Sequence, residues 1–274
     1  MAEEPLVTAV LKDLDVRAAS FIVTIYGDVV VPRGGVLWTG TLIEICDRVG
    51  INESLVRTAV SRLVAANRLR GERVGRRSYY RLDASAQREF DQAAGLLYAP
   101  EVPGSGWQIL HAPGLSPDDA WRQRMGHMGG SVFIRPDRGQ TPPDGAMCFH
   151  ADDPADVAQV AQFWDLTALD ARYADFLSRF SPVAAAGRLS DECSLVLRLL
   201  LVHAFRGVVL RDPRLPAVAL PPDWKGHAAR SLFRMLYLRL TPPAEGWIGA
   251  RFEGAGGRLP DQTPISIGRL QSLS

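Results

Sequence analysis

The chain has 274 residues, 47% of them hydrophobic and 22% charged, with a formal net charge of +1. That composition is globular, and the length leaves room for roughly two or three domains. No apolar run reaches the about 18 residues that a membrane helix needs; the longest, Leu195 to Phe205, is broken by Arg198 and His203. The start, Met1-Ala2-Glu3-Glu4-Pro5, lacks the basic region of a signal peptide. Cys46, Cys148 and Cys193 are scattered. This fits a reducing compartment, so a cytoplasmic protein with no membrane partner is expected. Charge is unevenly spread: residues 48 to 82 hold Arg48, Arg57, Arg62, Arg68, Arg70, Arg73, Arg76, Arg77 and Arg81 against Glu53 and Glu72 only. A basic block in an otherwise mildly acidic chain points to a polyanionic partner.

In chain order, residues 1–15 read as a loosely ordered lead-in. Val16 to Tyr26 is apolar nearly all round (Ala18, Phe21, Ile22, Ile25), as a helix buried on several sides would be. Gly27 is expected to end it, and Pro32-Arg33-Gly34-Gly35 to turn the chain. Val36-Leu37-Trp38 reads as a brief strand. Thr39 or Thr41 would cap the next helix, which runs to about Arg48 with Leu42, Ile45 and Val49 inward. Gly50 supplies a turn and Asn52 an N-cap for a helix from Glu53 to about Ala66. In that helix Val56, Ala59, Val60 and Leu63 share one face, while Ser54, Arg57, Thr58 and Ser61 repeat the spacing opposite, with Arg62 alongside. Leu69 to Val74 and Arg77 to Leu82 read as a β-hairpin turning near Gly75.

Pro100 to Gly106 is a linker by composition. Beyond it the pattern predicts strands at Trp107–His111, Val132–Arg135 and Met147–His150, a helix opened by Ser116-Pro117, and another from about Pro154. This alternation predicts a small α+β domain. Helical periodicity then dominates at Leu166–Phe180, Ser190–Phe205 and Asp223–Leu240. The last thirty or so residues are Gly- and Pro-rich and carry no assignable pattern. Three domains are expected, at 1–98, 107–162 and 163–274.

Helix, tight turn, helix and basic hairpin form the order of a winged helix-turn-helix. Its second helix would enter the major groove, where Asn52, Ser54, Arg57, Thr58, Ser61 and Arg62 reach bases or phosphates. In the hairpin, Arg73, Arg76, Arg77, Ser78 and Tyr79 would meet phosphates. The bland counterpart is a three-helix domain with a solvated basic face.

Several stretches together resemble the PaaX family of bacterial transcriptional repressors. They are Phe21-Ile22-Val23-Thr24-Ile25-Tyr26-Gly27-Asp28, Arg33-Gly34-Gly35 with Trp38-Thr39-Gly40, Gly50-Ile51-Asn52-Glu53, Val56 to Leu63, and Val74 to Leu82. Downstream, Phe133-Ile134-Arg135-Pro136, Trp164-Asp165-Leu166, Leu201 to Arg206 and Arg211-Asp212-Pro213 continue the likeness, which covers about residues 17 to 240. The resemblance implies an α+β chain with an N-terminal winged helix-turn-helix, a middle ferredoxin-like (Cas2-like) domain and a mostly helical C-terminal domain. It also implies a homodimeric, non-enzymatic repressor of phenylacetate or related aromatic catabolism. An aryl-CoA thioester such as phenylacetyl-CoA, an effector rather than a cofactor, would release it from its double-stranded DNA operator. The run Met125 to Ser131 and residues 241–274 depart from the family pattern.

A CoA ligand wants arginines for phosphates and an aromatic slot for its acyl group. Trp164, His203, Phe205, Arg206 and Arg211 supply those types. Their alternative reading is a core helix with an Arg211–Asp212 ion pair. No histidine or cysteine stands at metal-ligand spacing, and no catalytic constellation is expected. Asp152-Asp153 is the candidate acidic pair of a Cas2-like metal-dependent nuclease, the enzyme alternative; acidic residues before a helix start are also ordinary. An activator responding to a CoA thioester is the other alternative.

Overall fold

A computed structural model of the chain describes residues 3–274. By internal contacts the chain divides into two compact units: Met1–Pro100 with Leu177–Arg206 and Arg230–Ser274, and Glu101–Phe176 with Gly207–Ala229.

The first unit opens with helix α1 (Glu3–Leu11), where the sequence predicts a loose lead-in. Leu6 and Val10, one turn apart, are buried, and the Glu3 carboxylate accepts the Ser190 N–H at 2.5 Å and its hydroxyl at 2.6 Å. The anchoring is tertiary, so a short local pattern does not reveal it. Helix α2 (Ala18–Ile25) buries Phe21, Ile22 and Ile25. Gly27 does not end it. The backbone continues as a wide π-turn, Tyr26–Val30, and a 3-10 turn, Val31–Arg33, stopping at Gly34 with φ +94°. Tyr26, Val29 and Val30 are buried there, and Arg269 donates to the carbonyls of Gly27 (3.0 Å) and Asp28 (3.1 Å). That packing outweighs the roughly 1 kcal/mol helix penalty of a glycine.

Strand β1 (Val36–Trp38) leads into α3 (Thr39–Asp47). Neither threonine caps α3: Trp38 holds the N-cap position, and Thr39 Oγ1 instead donates to the Ser78 carbonyl at 2.7 Å. α3 ends in a Schellman turn, with Ile51 N–H on the Cys46 carbonyl (3.1 Å) and Gly50 N–H on that of Asp47 (3.0 Å). Gly50 adopts φ +80°, which a Cβ would strain. Asn52 then caps α4 (Glu53–Ala65), its side chain accepting the Leu55 N–H at 3.0 Å. Val56, Ala59, Val60 and Leu63 are buried, and α4 packs on α2 and α3. β2 (Leu69–Val74) and β3 (Arg77–Leu82) follow, then α5 (Gln87–Tyr98). The sheet order is β1-β3-β2, antiparallel, with Trp38 opposite Tyr79 and Val74 opposite Arg77.

In the second unit β4 (Trp107–His111) precedes α6 (Pro117–Arg122), which Ser116 caps. Then come β5 (Gly126–Gly129), β6 (Val132–Pro136) and β7 (Met147–Ala151). The antiparallel sheet has the order β5-β6-β4-β7. One face packs Leu110 and Phe133 on Ala120 and Met125. β5 lies in the glycine-rich run Met125 to Ser131, which carries no strand alternation for sequence reasoning to find. The helix expected from Pro154 is instead a 3-10 segment, Val157–Phe163, capped by Asp156. Its apolar residues Val160 and Phe163 stand three apart, the repeat of a 3-10 turn.

Three long helices follow: α7 (Leu166–Ala185), α8 (Asp191–Val209) and α9 (Gly226–Arg251). α9 outruns the expected end at Leu240 and passes through Pro242 and Pro243, because Leu240, Ala244 and Ile248 continue its buried stripe. The tail forms a β8 (Glu253–Gly254) and β9 (Gly257–Arg258) hairpin and helix α10 (Pro264–Leu273), which Thr263 and Ser266 cap reciprocally. Among the described residues no helix is long and apolar enough to cross a membrane.

A buried polar network sits inside the first unit. Asp28 accepts from Tyr98 (3.0 Å), Tyr237 (2.9 Å) and Arg198 Nε (3.0 Å). Arg198 also donates to Glu245 at 2.7 Å, and Arg33 closes the chain by pairing with Glu245 and donating to the carbonyls of Pro260 and Asp261, each at 2.8 Å.

Candidate nucleic-acid interface

Helix α4 presents Ser54, Arg57, Thr58, Ser61 and Arg62 to solvent while its other face is buried. Arg57 pairs with Glu53 at 2.6 Å one turn earlier, an exposed contact that competes weakly with an external anion. Asn52 is exposed, but its side-chain oxygen is occupied by the cap, so its role at the helix start is structural first. Leu55, 51% exposed beside Ser54, escapes a search for polar and basic residues. An apolar side chain there suits contact with a thymine methyl.

The β2–β3 hairpin closes through Gly75 (φ +61°) and Arg76. Arg73 Nε donates to the Gly75 carbonyl at 3.2 Å, and Arg76 stands at the tip without an ion-pair partner among the described residues. Ser78 is half-buried. Tyr79, expected to meet phosphate, is only 5% exposed, because β3 is the central strand and its inner face lies in the core. Arg77 is exposed but already engaged within the chain: it pairs with Glu253 of β8 and stacks its guanidinium 4.6 Å from the Trp38 ring centre. The Tyr79 hydroxyl first, and then the Glu253 carboxylate, raise its pKa.

The basic block is thus partly neutralised by folding. Arg48 pairs with Glu192, Arg57 with Glu53, Arg68 with Glu89, Arg77 with Glu253 and Arg81 with Glu72. Among the described residues Arg62, Arg73 and Arg76 have no such carboxylate, and Arg70 has no ion pair but feels the Asp83 carboxylate at longer range. They mark α4, β2 and the hairpin turn as the face with free positive charge.

The candidate effector residues fall in both units. In the first, His203 sits between Thr24 Oγ1 (3.0 Å) and the Asp15 carbonyl (3.1 Å). Phe205 stacks on Phe233 at 4.3 Å, and Arg206 donates to the Ser20 carbonyl and hydroxyl. In the second, Trp164 is buried with Nε1 toward the Arg124 carbonyl, and Arg211 donates to the Gly207 carbonyl and stacks over Trp121 at 5.1 Å. Asp212 accepts from Tyr173 at 2.6 Å. The second unit also holds a cavity of about 490 Å³ lined by Trp107, Ile109, Met128, Ile134, Val160 and Phe163. Asp152 lines it as well; its neighbour Asp153 accepts the Trp107 indole N–H at 2.8 Å. Burial pushes the Cys46 thiol up to about 12, the state of an unreactive core residue.

Residues 17–86 match the family described as PaaX-like protein, and residues 164–250 its C-terminal domain. Over 94% of its length the chain is 32% identical to the transcriptional repressor PaaX of Escherichia coli (strain K12), of which 92% is covered. The chain belongs to the PaaX family. The matched PaaX segment 17–86 contains α4 and the hairpin with all eleven candidate DNA-contacting residues, and 164–250 contains the five effector candidates. A solved structure of an uncharacterized protein from Mycobacterium tuberculosis is similar at a TM-score of 0.46 and 23% identity, covering 76% of this chain and 89% of that one.

Proposed function

We propose that this member of the PaaX family is a DNA-binding transcriptional repressor that acts by occupying an operator rather than by catalysis. α3, the Schellman turn and α4 serve as a helix-turn-helix, and β2–β3 as its wing. The observation that carries this reading is α4 itself: an apolar face fixed on α2, an exposed face of Ser54, Arg57, Thr58, Ser61 and Arg62, and free Arg73 and Arg76 in the adjoining hairpin. The name of the Escherichia coli relative supports the direction of the output. The strand order β5-β6-β4-β7 supports a ferredoxin-like middle domain, although a loop replaces the second helix of that fold between β6 and β7.

The regulated genes on this reading serve phenylacetate or related aromatic catabolism, and an aryl-CoA thioester releases a homodimer from DNA. The largely apolar cavity of the second unit, where Trp107 and Phe163 stand beside a polar rim with Asp152 and Asp156, suits an aryl group by its chemistry. Release requires only that the effector prefer one arrangement of the DNA-binding segments over another.

The test is operator binding by the Arg57→Ala/Arg76→Ala double variant, checked for unchanged circular dichroism, on the promoter fragment that the wild type protects. A loss of at least tenfold is expected; unchanged binding would remove the reading face from this position. Adding phenylacetyl-CoA to the wild-type complex should free the DNA, and a complex that persists would reject that effector.

A further inference from the structure

We propose that Glu253 sets the affinity of this interface by holding Arg77 as an internal stand-in for a backbone phosphate; the inference rests on the DNA-binding reading above. Arg77 begins β3 directly after the Gly75–Arg76 turn, between Arg76 and the arginine-bearing end of β2. By position it belongs to the row that would meet phosphates. Its Nη1 instead pairs with the Glu253 carboxylate, with the Trp38 ring beneath the guanidinium.

This is a built contact rather than a chance meeting of surface chains. Trp38 lies flat over Gly40, where a Cβ would fall 2.4 Å from the ring. Glu253 is delivered by β8 between the buried Phe252 and Gly254, and a Cβ on Gly254 would stand 3.1 Å from the Val36 carbonyl of β1. The Leu259 N–H on the Phe252 carbonyl at 2.9 Å closes the hairpin behind it. Both ends of the ion pair nevertheless reach solvent, with side-chain exposures of 50% for Arg77 and 30% for Glu253.

Carboxylate and phosphate compete for the same planar donors of arginine. An exposed ion pair is weak enough for a phosphate to displace. While Glu253 stays in place, Arg77 adds no net charge to the wing, and its share of counterion release on DNA binding is lost.

The experiment measures binding of full-length protein to an arbitrary duplex and to the protected promoter fragment across a salt series. Glu253→Gln keeps the shape and removes the charge. It should bind both duplexes roughly three- to tenfold tighter at about 100 mM salt, with a salt slope steeper by about 0.9. Arg77→Ala should weaken binding in the wild type, because it leaves the Glu253 carboxylate uncompensated beside the wing, and in the Glu253→Gln background it should return binding to about the wild-type level. Unchanged or weaker binding by Glu253→Gln, while Arg62→Ala and Arg76→Ala still weaken binding, overturns the role of Glu253 and leaves the DNA reading intact. Wild-type-like binding by Glu253→Gln, Arg62→Ala and Arg76→Ala alike overturns the DNA reading itself.

Discussion

Asp28 and Arg198 form an ion pair of 3.0 Å with side-chain exposures of 0% and 1%, the first on the wide turn after α2 and the second midway along α8. Burial lowers the Arg198 pKa, but Asp28, Tyr237 and Glu245 outweigh it, so the guanidinium is held firmly charged. Removing the Asp28 charge leaves two buried guanidiniums, Arg198 and Arg33, sharing the single carboxylate of Glu245, so one buried charge loses its compensation. Asp28→Asn should therefore cost about 3–5 kcal/mol, read as a fall in the urea midpoint at unchanged m-value. A midpoint within experimental error of the wild type would show that the network contributes nothing to folding.

The arginines of the basic block should separate into two groups. Arg62→Ala and Arg76→Ala each remove a charge with no carboxylate beside it, and each should lower the salt slope of DNA binding by about 1. Arg48→Ala, Arg68→Ala and Arg81→Ala remove arginines already paired with Glu192, Glu89 and Glu72 and should change it less. Equal slopes in both groups would mean that DNA displaces all the carboxylates.

Asn52 accepts the Leu55 N–H at the start of α4, one of the four amides that the helix leaves unpaired. Asn52→Ala should destabilise the fold by about 1 kcal/mol. Asn52→Asp should restore stability, because aspartate caps equally well and carries a charge that suits a helix N-terminus. If alanine and aspartate gave the same melting temperature, the cap would not be the role of this residue.

His203 is buried between Thr24 and Asp15, and burial is the largest of the effects that bring its pKa below the ordinary value. The unfolded chain then binds a proton that the folded chain resists. Its contribution is full above the unfolded histidine value of about 6.5 and is lost as pH falls below it toward the folded value. Between pH 7.5 and 5 stability should fall at up to about 1.4 kcal/mol per unit of pH from this group. His203→Gln should flatten that segment of the profile, and parallel profiles for the two proteins would exclude it.

Much of the local architecture is legible in the sequence. The two-faced pattern of α4, the Gly50 turn, the Asn52 cap and the hairpin around Gly75 all depend on neighbours within a few residues, and the structure has each in place. The unforeseen features depend on distant partners. α1 is pinned by Ser190, and the helical continuation through Gly27 is held by Arg269. The one sequence sign of the buried network is a lone Arg198 inside the apolar run Leu195 to Phe205, a residue that breaks a membrane span and here pairs with Asp28 and Glu245.

By itself the sequence determined where α4, the candidate reading helix, lies and which of its faces is polar, because helical periodicity is a local property. Only the tertiary structure decided which arginines remain free. Glu89, Glu192 and Glu253 come from outside the basic block to neutralise Arg68, Arg48 and Arg77, and Tyr79 is buried because it lies on the face of the sheet that packs on the core. An ion pair falls off over a few ångströms of space, whatever the distance along the chain.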